Sequence, residues 1–427
     1  MALRVAFITK ETSLPSTWAI GKVADVADIN RITLKEKTYK GWIEYIDITS
    51  VDKHKLLGTQ LIDFNSAPSR ARRVVRDNDI LISTVRPNLK HFVFIKKAKS
   101  NYIASTGFAV VSPQQKVEPR YLYYYLTSDF FTDYLSRVAD GGAYPAFNPS
   151  EISNSEIPLP PLPEQKTIAT ILGALDDKIE LNRKMNETLE AMARAIFKSW
   201  FVDFDPIPGF GPHKEWQDSS LGRIPKRLMV GSIGNICNVK GGFAYKSEDF
   251  CNSGYPVIKI KNINSDKTVN VNDVEYIPEN IAIETRDFWL YDGDLIMAMT
   301  GATIGKFGLI VNKSQIPSLL NQRVAKFYPL KEHGSLSWFI YNVLQVQEII
   351  EQIISIADGS AQPNISANGI MFPKIVIPEN RFIEIFNTRV DCIFKQIISN
   401  RKQSRLLASI RDTLLPKLLS GKIRVKN

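Results

Sequence analysis

The stretch Pro15-Ser16-Thr17-Trp18-Ala19-Ile20-Gly21 returns 210 residues later as Pro225-Lys226-Arg227-Leu228-Met229-Val230-Gly231. The echo continues in order. Asp79-Ile80-Leu81-Ile82 returns as Asp294-Leu295-Ile296-Met297, Asp140-Gly141 and Pro145 as Asp358-Gly359 and Pro363, and Asn182-Arg183-Lys184 as Asn400-Arg401-Lys402. The offset drifts from 210 to 218, which places the net insertion in the middle of the second copy. A head-to-tail duplication of this kind predicts two similar halves that pack around a pseudo-two-fold axis, as identical subunits do around a true one. Whatever one half binds, the other is expected to bind a related version.

At 427 residues the chain exceeds the size at which one core usually stops growing, so two domains with connecting elements are expected. Hydrophobic content of 44% is that of an ordinary globular protein. No apolar run is long enough to span a membrane, and the opening MALRVAFITKETS is too short in apolar residues for a signal peptide. Cys237, Cys251 and Cys392 are odd in number and widely spaced, which fits reduced thiols in a cytoplasm. The net charge of +10 attracts polyanions. One window concentrates it: Arg70, Arg72, Arg73, Arg76, Arg86, Lys90, Lys96, Lys97 and Lys99 share a stretch whose only acids are Asp77 and Asp79. A solvated basic face and a nucleic-acid contact both account for such a window.

Each copy reads as a β-rich region of about 150 residues followed by a long helix. Short apolar runs such as Trp42-Ile43-Glu44-Tyr45-Ile46, Ile80-Leu81-Ile82, Phe92-Val93-Phe94-Ile95 and Tyr255-Pro256-Val257-Ile258-Lys259-Ile260 are punctuated by Gly, Pro and Asn, as strands are. Residues 121–135 and 335–354 read as helical, making each half α+β. The string Ile157-Pro158-Leu159-Pro160-Pro161-Leu162-Pro163 predicts a hinge, since proline cannot continue a strand ladder. The second copy keeps only Ile377-Pro378.

Residues 164–201 and 381–415 carry a single glycine and no proline, which predicts two long helices. Heptad positions fall at Leu172, Ile179, Asn186, Ala193 and Trp200 with Leu175, Asn182, Leu189 and Ile196 on the first helix. On the second they fall at Val390, Ile397, Ser404, Arg411 and Leu418 with Ile393, Asn400, Leu407 and Leu414, and Pro416 is expected to end or kink it. The dyad requires the helices to run antiparallel, each about 57 Å long. Asn182 and Asn400 should then lie close together. They either fix register in an apolar seam, or, with Arg183, Lys184, Arg401 and Lys402, meet a partner.

Catalytic signatures are missing. The nearest approach to the Asn/Asp-Pro-Pro-aromatic turn of an amino-group DNA methyltransferase is Asp205-Pro206-Ile207-Pro208, which fails at its last two positions. Gly301-Ala302-Thr303-Ile304-Gly305-Lys306-Phe307 is one residue short of a phosphate-cradling loop and ends in Phe where a hydroxyl is needed. His54, His91, His213 and His333 show no metal-ligand spacing.

On these residues the chain resembles the specificity subunit of type I restriction-modification enzymes. The Ile157 to Gln165 string with its long helix carries the likeness, as do Asp79-Ile80-Leu81 with Val85-Arg86-Pro87, and Asp294-Leu295-Ile296 with the Thr300 to Lys306 loop. The resemblance covers essentially the whole chain. It implies an α+β fold: two similar mixed α/β target-recognition domains separated by two long antiparallel helices in a coiled coil, an internal pseudo-two-fold repeat. Residues 1–160 and 206–380 would be the recognition domains, and 161–205 and 381–427 the conserved helices. It also implies a non-catalytic, cytoplasmic host-defence component that reads a bipartite, asymmetric double-stranded DNA site. No cofactor would sit in this chain. Two modification subunits would bring S-adenosylmethionine for DNA methylation, and two restriction subunits ATP and magnesium. Expected DNA contacts are Arg70, Arg72, Arg73, Arg76, Arg86, Lys90 and Tyr144 in the first domain. In the second they are Lys259, Lys261, Asn262, Thr303, Lys306, Asn321, Gln322 and Arg323. The helix and subunit interface would use Leu175, Asn182, Arg183, Lys184, Leu189, Ile393, Asn400, Arg401, Lys402 and Leu407. The competing reading is a self-contained DNA methyltransferase or nuclease, and a third is a coiled-coil scaffold without a DNA role.

Overall fold

The computed structural model describes residues 14–35, 40–330, 337–357 and 363–425. The opening segment, His333 and the Asp358-Gly359 echo lie outside the described residues. The first half contains β1 (Ala19–Lys22), β2 (Ala27–Ile29), β3 (Trp42–Ile46), the small hairpin β4 (Val51–Asp52) and β5 (Lys55–Leu56), and β6 (Gln60–Asp63). It continues with β7 (Ala71–Val74), β8 (Ile80–Ser83), β9 (Phe92–Phe94), β10 (Tyr102–Ser105) and β11 (Phe108–Pro113). Helices α1 (Pro119–Leu126), α2 (Asp129–Val138) and α3 (Ser150–Asn154) follow, then β12 (Glu156–Leu159) and the long α4 (Leu162–Phe201).

The second half opens with a hairpin of β13 (Trp216–Ser219) and β14 (Gly222–Pro225), then β15 (Met229–Ser232), β16 (Cys237–Gly241), β17 (Tyr255–Ile258) and β18 (Glu275–Ile277). After α5 (Glu279–Glu284) come β19 (Trp289–Leu290), β20 (Leu295–Ala298), β21 (Phe307–Leu309), β22 (Ser318–Leu320) and β23 (Val324–Pro329). It closes with α6 (Ser337–Val343), α7 (Gln347–Ile356), α8 (Ala367–Met371), β24 (Lys374–Ile377) and the long α9 (Asn380–Leu419).

The two four-stranded sheets of each half repeat in topology, while the β4-β5 hairpin belongs to the first half alone and the β13-β14 hairpin to the second. Sheet order β2-β11-β8-β9 in the first half is matched by β16-β23-β20-β21 in the second, and β6-β3-β10-β7 by β18-β17-β22-β19. Each of the latter two sheets has one parallel pairing, β3 with β10 and β17 with β22, at equivalent places. Central strands β8 and β20 are buried along their whole length, which explains their continuous apolar runs. The repeated aspartate has a local cause: Asp79 accepts the Arg76 N–H at 2.7 Å and Asp294 accepts the Tyr291 N–H at 2.7 Å, closing the turn before each central strand. Asn78 and Gly293 take the left-handed conformation in those turns.

The proline-rich hinge is a strand. β12 pairs antiparallel with β1, Pro158 lying opposite Ile20, as β24 pairs with β15. Each of these sheets has only two strands, so proline's missing N–H can fall on an open edge. The Tyr121 and Tyr125 hydroxyls donate to the Pro158 and Glu156 carbonyls at 2.7 and 2.6 Å. The proline string thus ties the end of the first half's β-rich region to its start. Gln165 then donates to the Pro160 carbonyl at 2.8 Å and accepts the Glu118 N–H at 2.9 Å, anchoring the first turn of α4.

The chain forms two compact units, Met1–Lys178 with Leu407–Asn427, and Ile179–Leu406, so the divisions fall inside the long helices. In the first, Ile168, Ala169, Leu172, Leu418 and Leu419 share a core with β8, α1 and α2. In the second, Ala193, Phe197, Trp200 and Phe201 join Phe382, Phe386, Val390 and Phe394 against β20 and α6. The helices run antiparallel where they meet in each unit: Asp176 pairs with Arg411 in the first, and Asn186 with Asn400 and Glu190 with Arg401 in the second. No heptad position is exposed. Pro416 lies inside α9, which runs on to Leu419, because the carbonyl it leaves without a helical donor, that of Asp412, is in the last turns at an exposed face.

Candidate nucleic-acid interface

At the end of β8 the backbone gathers three loops into one rim. Thr84 donates to the Gly107 carbonyl from both its N–H (2.8 Å) and its hydroxyl (2.9 Å), and its own carbonyl accepts the Phe147 N–H at 3.0 Å. The Thr106 N–H reaches the Arg70 carbonyl at 2.7 Å, and the Arg86 N–H the Pro145 carbonyl at 2.8 Å. Arg70, Thr106, Arg86 and Tyr144 therefore stand along a single hydrogen-bonded edge. Arg86 is held in the left-handed region, φ 48°, with its guanidinium 4.3 Å from the Tyr144 ring and donating to the Ala143 carbonyl at 2.9 Å. Tyr144 itself is 68% exposed.

The other first-domain candidates are placed differently. Arg72 and Arg73 are half-buried on β7, Arg72 over the Phe64 ring at 5.1 Å and Arg73 donating to the Thr33 hydroxyl at 2.5 Å. Arg76 is exposed but stands at the opposite end of β7 from Arg70. Lys90 lies on the Arg86 loop and pairs with Asp129 at 2.6 Å.

The second half builds the same rim from different residues. Gln322 donates its N–H to the Phe243 carbonyl (2.9 Å), Met299 to that of Arg323 (3.0 Å), Ile365 to that of Met299 (2.9 Å), and Gly301 to that of Pro363 (2.8 Å). Gln322 and Arg323 are exposed, and Asn321 and Thr303 half-buried beside them. The Thr303 hydroxyl is spent on the Thr300 carbonyl at 2.8 Å, and Lys306 is half-buried at the loop's end. Lys259 is drawn to Glu275 at 2.5 Å and over the Phe250 ring, and Lys261 lies 3.7 Å from Asp273. Asn262 departs from its expected role at a base edge: it is 1% exposed, accepts the Lys259 N–H and donates to the Asp273 carbonyl. Its amide is consumed in closing a turn.

Phe243, exposed on this rim, was not among the expected contacts. The preceding Gly241-Gly242 was its signal: a Cβ at Gly242 would meet the Leu320 carbonyl oxygen at 2.2 Å, so only glycine lets the chain pass there.

The helix residues split between structure and surface. Asn182, fully buried, donates to the Gln403 side chain at 2.9 Å and the Ser404 hydroxyl at 3.2 Å, and lies 3.4 Å from the Asn400 carbonyl. Leu175, Leu189 and Leu407 are half-buried and Ile393 buried. Arg401 reaches Glu190 across the helices at 3.0 Å, and Lys402 pairs with Asp292. Arg183 and Lys184 pair along their own helix, with Glu180 and Glu187 and with Glu180 respectively. Among the described residues no cluster of three metal-ligating side chains occurs, and no helix is long and apolar enough to cross a membrane.

Comparison with known proteins matches residues 15–191 and 225–383 to the model of the type I restriction modification DNA specificity domain. The MjaIX specificity subunit of Methanocaldococcus jannaschii, a type I restriction enzyme component, is 27% identical over 98% of this chain and 96% of its own. The HindI specificity subunit of Haemophilus influenzae is 25% identical over 94% and 99%. A crystal structure of a type I restriction-modification system S subunit from M. genitalium has the same fold, with a TM-score of 0.57 at 16% identity over 96% of this chain and 98% of that one.

Proposed function

The chain belongs to the type I restriction-modification DNA specificity family, and from that premise we propose that it is the DNA-reading subunit of such a system, recognising a split, asymmetric site for partners that do the chemistry. It is a specificity subunit and not itself an enzyme. The observation that carries the reading is the duplicated rim: two domains of identical sheet order present the same three-loop edge with different side chains. Two such readers joined through paired helices suit two half-sites, which on one face of B-DNA lie about 34 Å apart per turn.

Within this reading residues 1–160 and 206–380 are the target-recognition domains, and 161–205 and 381–427 the conserved helices. Exposed cations such as Arg70 and Arg76 bind phosphates and supply affinity without sequence information, while Arg, Gln and Thr on the rims meet base edges. Half-buried Arg183 and exposed Lys184 of α4 face two modification subunits, which hold S-adenosylmethionine. Two restriction subunits with ATP and magnesium complete the complex.

Incubation with labelled S-adenosylmethionine and DNA tests the assignment. Methyl transfer is expected only when modification subunits are added. Transfer by the chain alone would instead establish a self-contained methyltransferase.

A further inference from the structure

The two rims can be superposed residue by residue through their hydrogen bonds. Thr84 and Met299 occupy the same place after the central strand, each donating its N–H to the loop that follows β10 or β22, at Gly107 and Arg323. Thr106 and Gly107 therefore correspond to Gln322 and Arg323. Two residues beyond Thr84 and Met299, Arg86 and Gly301 share the left-handed backbone, φ 48° and 65°, and donate their N–H groups to Pro145 and Pro363. The guanidinium has changed loops. The first reader has Arg at the left-handed position and Thr-Gly on the facing loop; the second has Gly at the left-handed position and Gln-Arg on the facing loop.

We infer that Arg86 and Arg323 are the guanine-reading residues of the two domains, delivered to equivalent half-sites from opposite loops of one conserved rim. This rests on the DNA-reading assignment above and adds which residue reads, and what. A left-handed conformation is costly for a residue with a Cβ and persists only where its surroundings fix it. Glycine at the same place in the second half shows that the backbone alone does not require arginine. Arg86 is held there by its own contacts: the Tyr144 ring on one face and the Ala143 carbonyl at one N–H. The rest of its donor fork has no other partner among the described residues, which is the planar, pre-ordered pair of N–H groups that meets guanine O6 and N7. Arg323 is exposed, and its guanidinium has no hydrogen-bond or ion-pair partner among the described residues; beside it stands Gln322, whose amide suits adenine. Both loops are short and stapled by backbone bonds, so each can change its side chain without moving the rim.

The test uses the full chain with its modification subunits and reads methylated motifs by sequencing. Arg86→Gly should relax one position in one half-site, lowering discrimination against the wrong base there by roughly tenfold or more, with the other half untouched. Arg323→Gly should do the same in the other half. Tyr144→Leu, which keeps bulk but removes the ring face, should weaken the same position as Arg86→Gly. A uniform loss of methylation at all sites, with the motif unchanged, would make these arginines phosphate contacts and overturn the inference. So would an unaltered motif at full rate. A wild-type complex that methylates no split motif would instead overturn the DNA-reading assignment itself, and is told apart because it needs no variant.

Discussion

Asp294 illustrates how much one side chain carries. Its carboxylate closes the turn before β20 and pairs with Lys326 at 2.6 Å, a lysine only 9% exposed. Asp294→Asn keeps an acceptor for the turn but leaves the ammonium without its anion, and should cost about 3 kcal/mol, measured as a lower urea midpoint for the transition of the second unit. An unchanged midpoint would show the pair to be dispensable. His54 has the opposite character. Burial, helped by Arg411, Lys53 and Lys90, pushes its imidazole well below the ordinary 6.5. The folded state therefore holds it neutral while the unfolded chain can protonate it. Its contribution is full above the ordinary value and is lost as pH falls from there toward the depressed folded value. Thermal unfolding across that range should show the first unit weakening on acidification, and His54→Gln should flatten the slope. An equal slope in the variant would place the titration elsewhere.

At the scale of elements, the long helices were legible because residues 164–201 and 381–415 carry no proline and keep one heptad register, and every position of that seam is buried or half-buried. A helix of this length gains one heptad, about 10.5 Å, for every seven residues added. Lengthening both α4 and α9 by seven residues should widen the spacer of the methylated motif by roughly three base pairs, read by sequencing. A constant spacer would remove the helices as a ruler. The sheets were only partly legible. Buried central runs such as Ile80-Leu81-Ile82 announce strands, but the parallel pairing of β3 with β10 joins segments far apart in sequence, and no local pattern encodes it. The proline string misled for a specific reason: proline bars a central strand and permits an edge, and a two-stranded sheet is all edge. At the site, the basic window and the family resemblance named Arg70, Arg86 and Arg323, which the fold sets along the rims, while Asn262 could not be separated from a base reader because its two backbone partners appear only in three dimensions.

For the whole molecule, the duplicated topology makes the readers separable. Replacing residues 1–155 with the equivalent region of a relative should alter one half of the recognised sequence and leave the other intact. A change in both halves would contradict modular reading. The rims differ most where they meet solvent, Arg86 against Gly301 and Thr106-Gly107 against Gln322-Arg323, while the strands beneath them keep one order. The most direct test is methylation-sensitive sequencing of DNA from cells expressing this subunit with its modification partners. A single motif of two unrelated half-sites separated by a fixed, unread spacer is expected. A palindromic motif, or one continuous site, would contradict it.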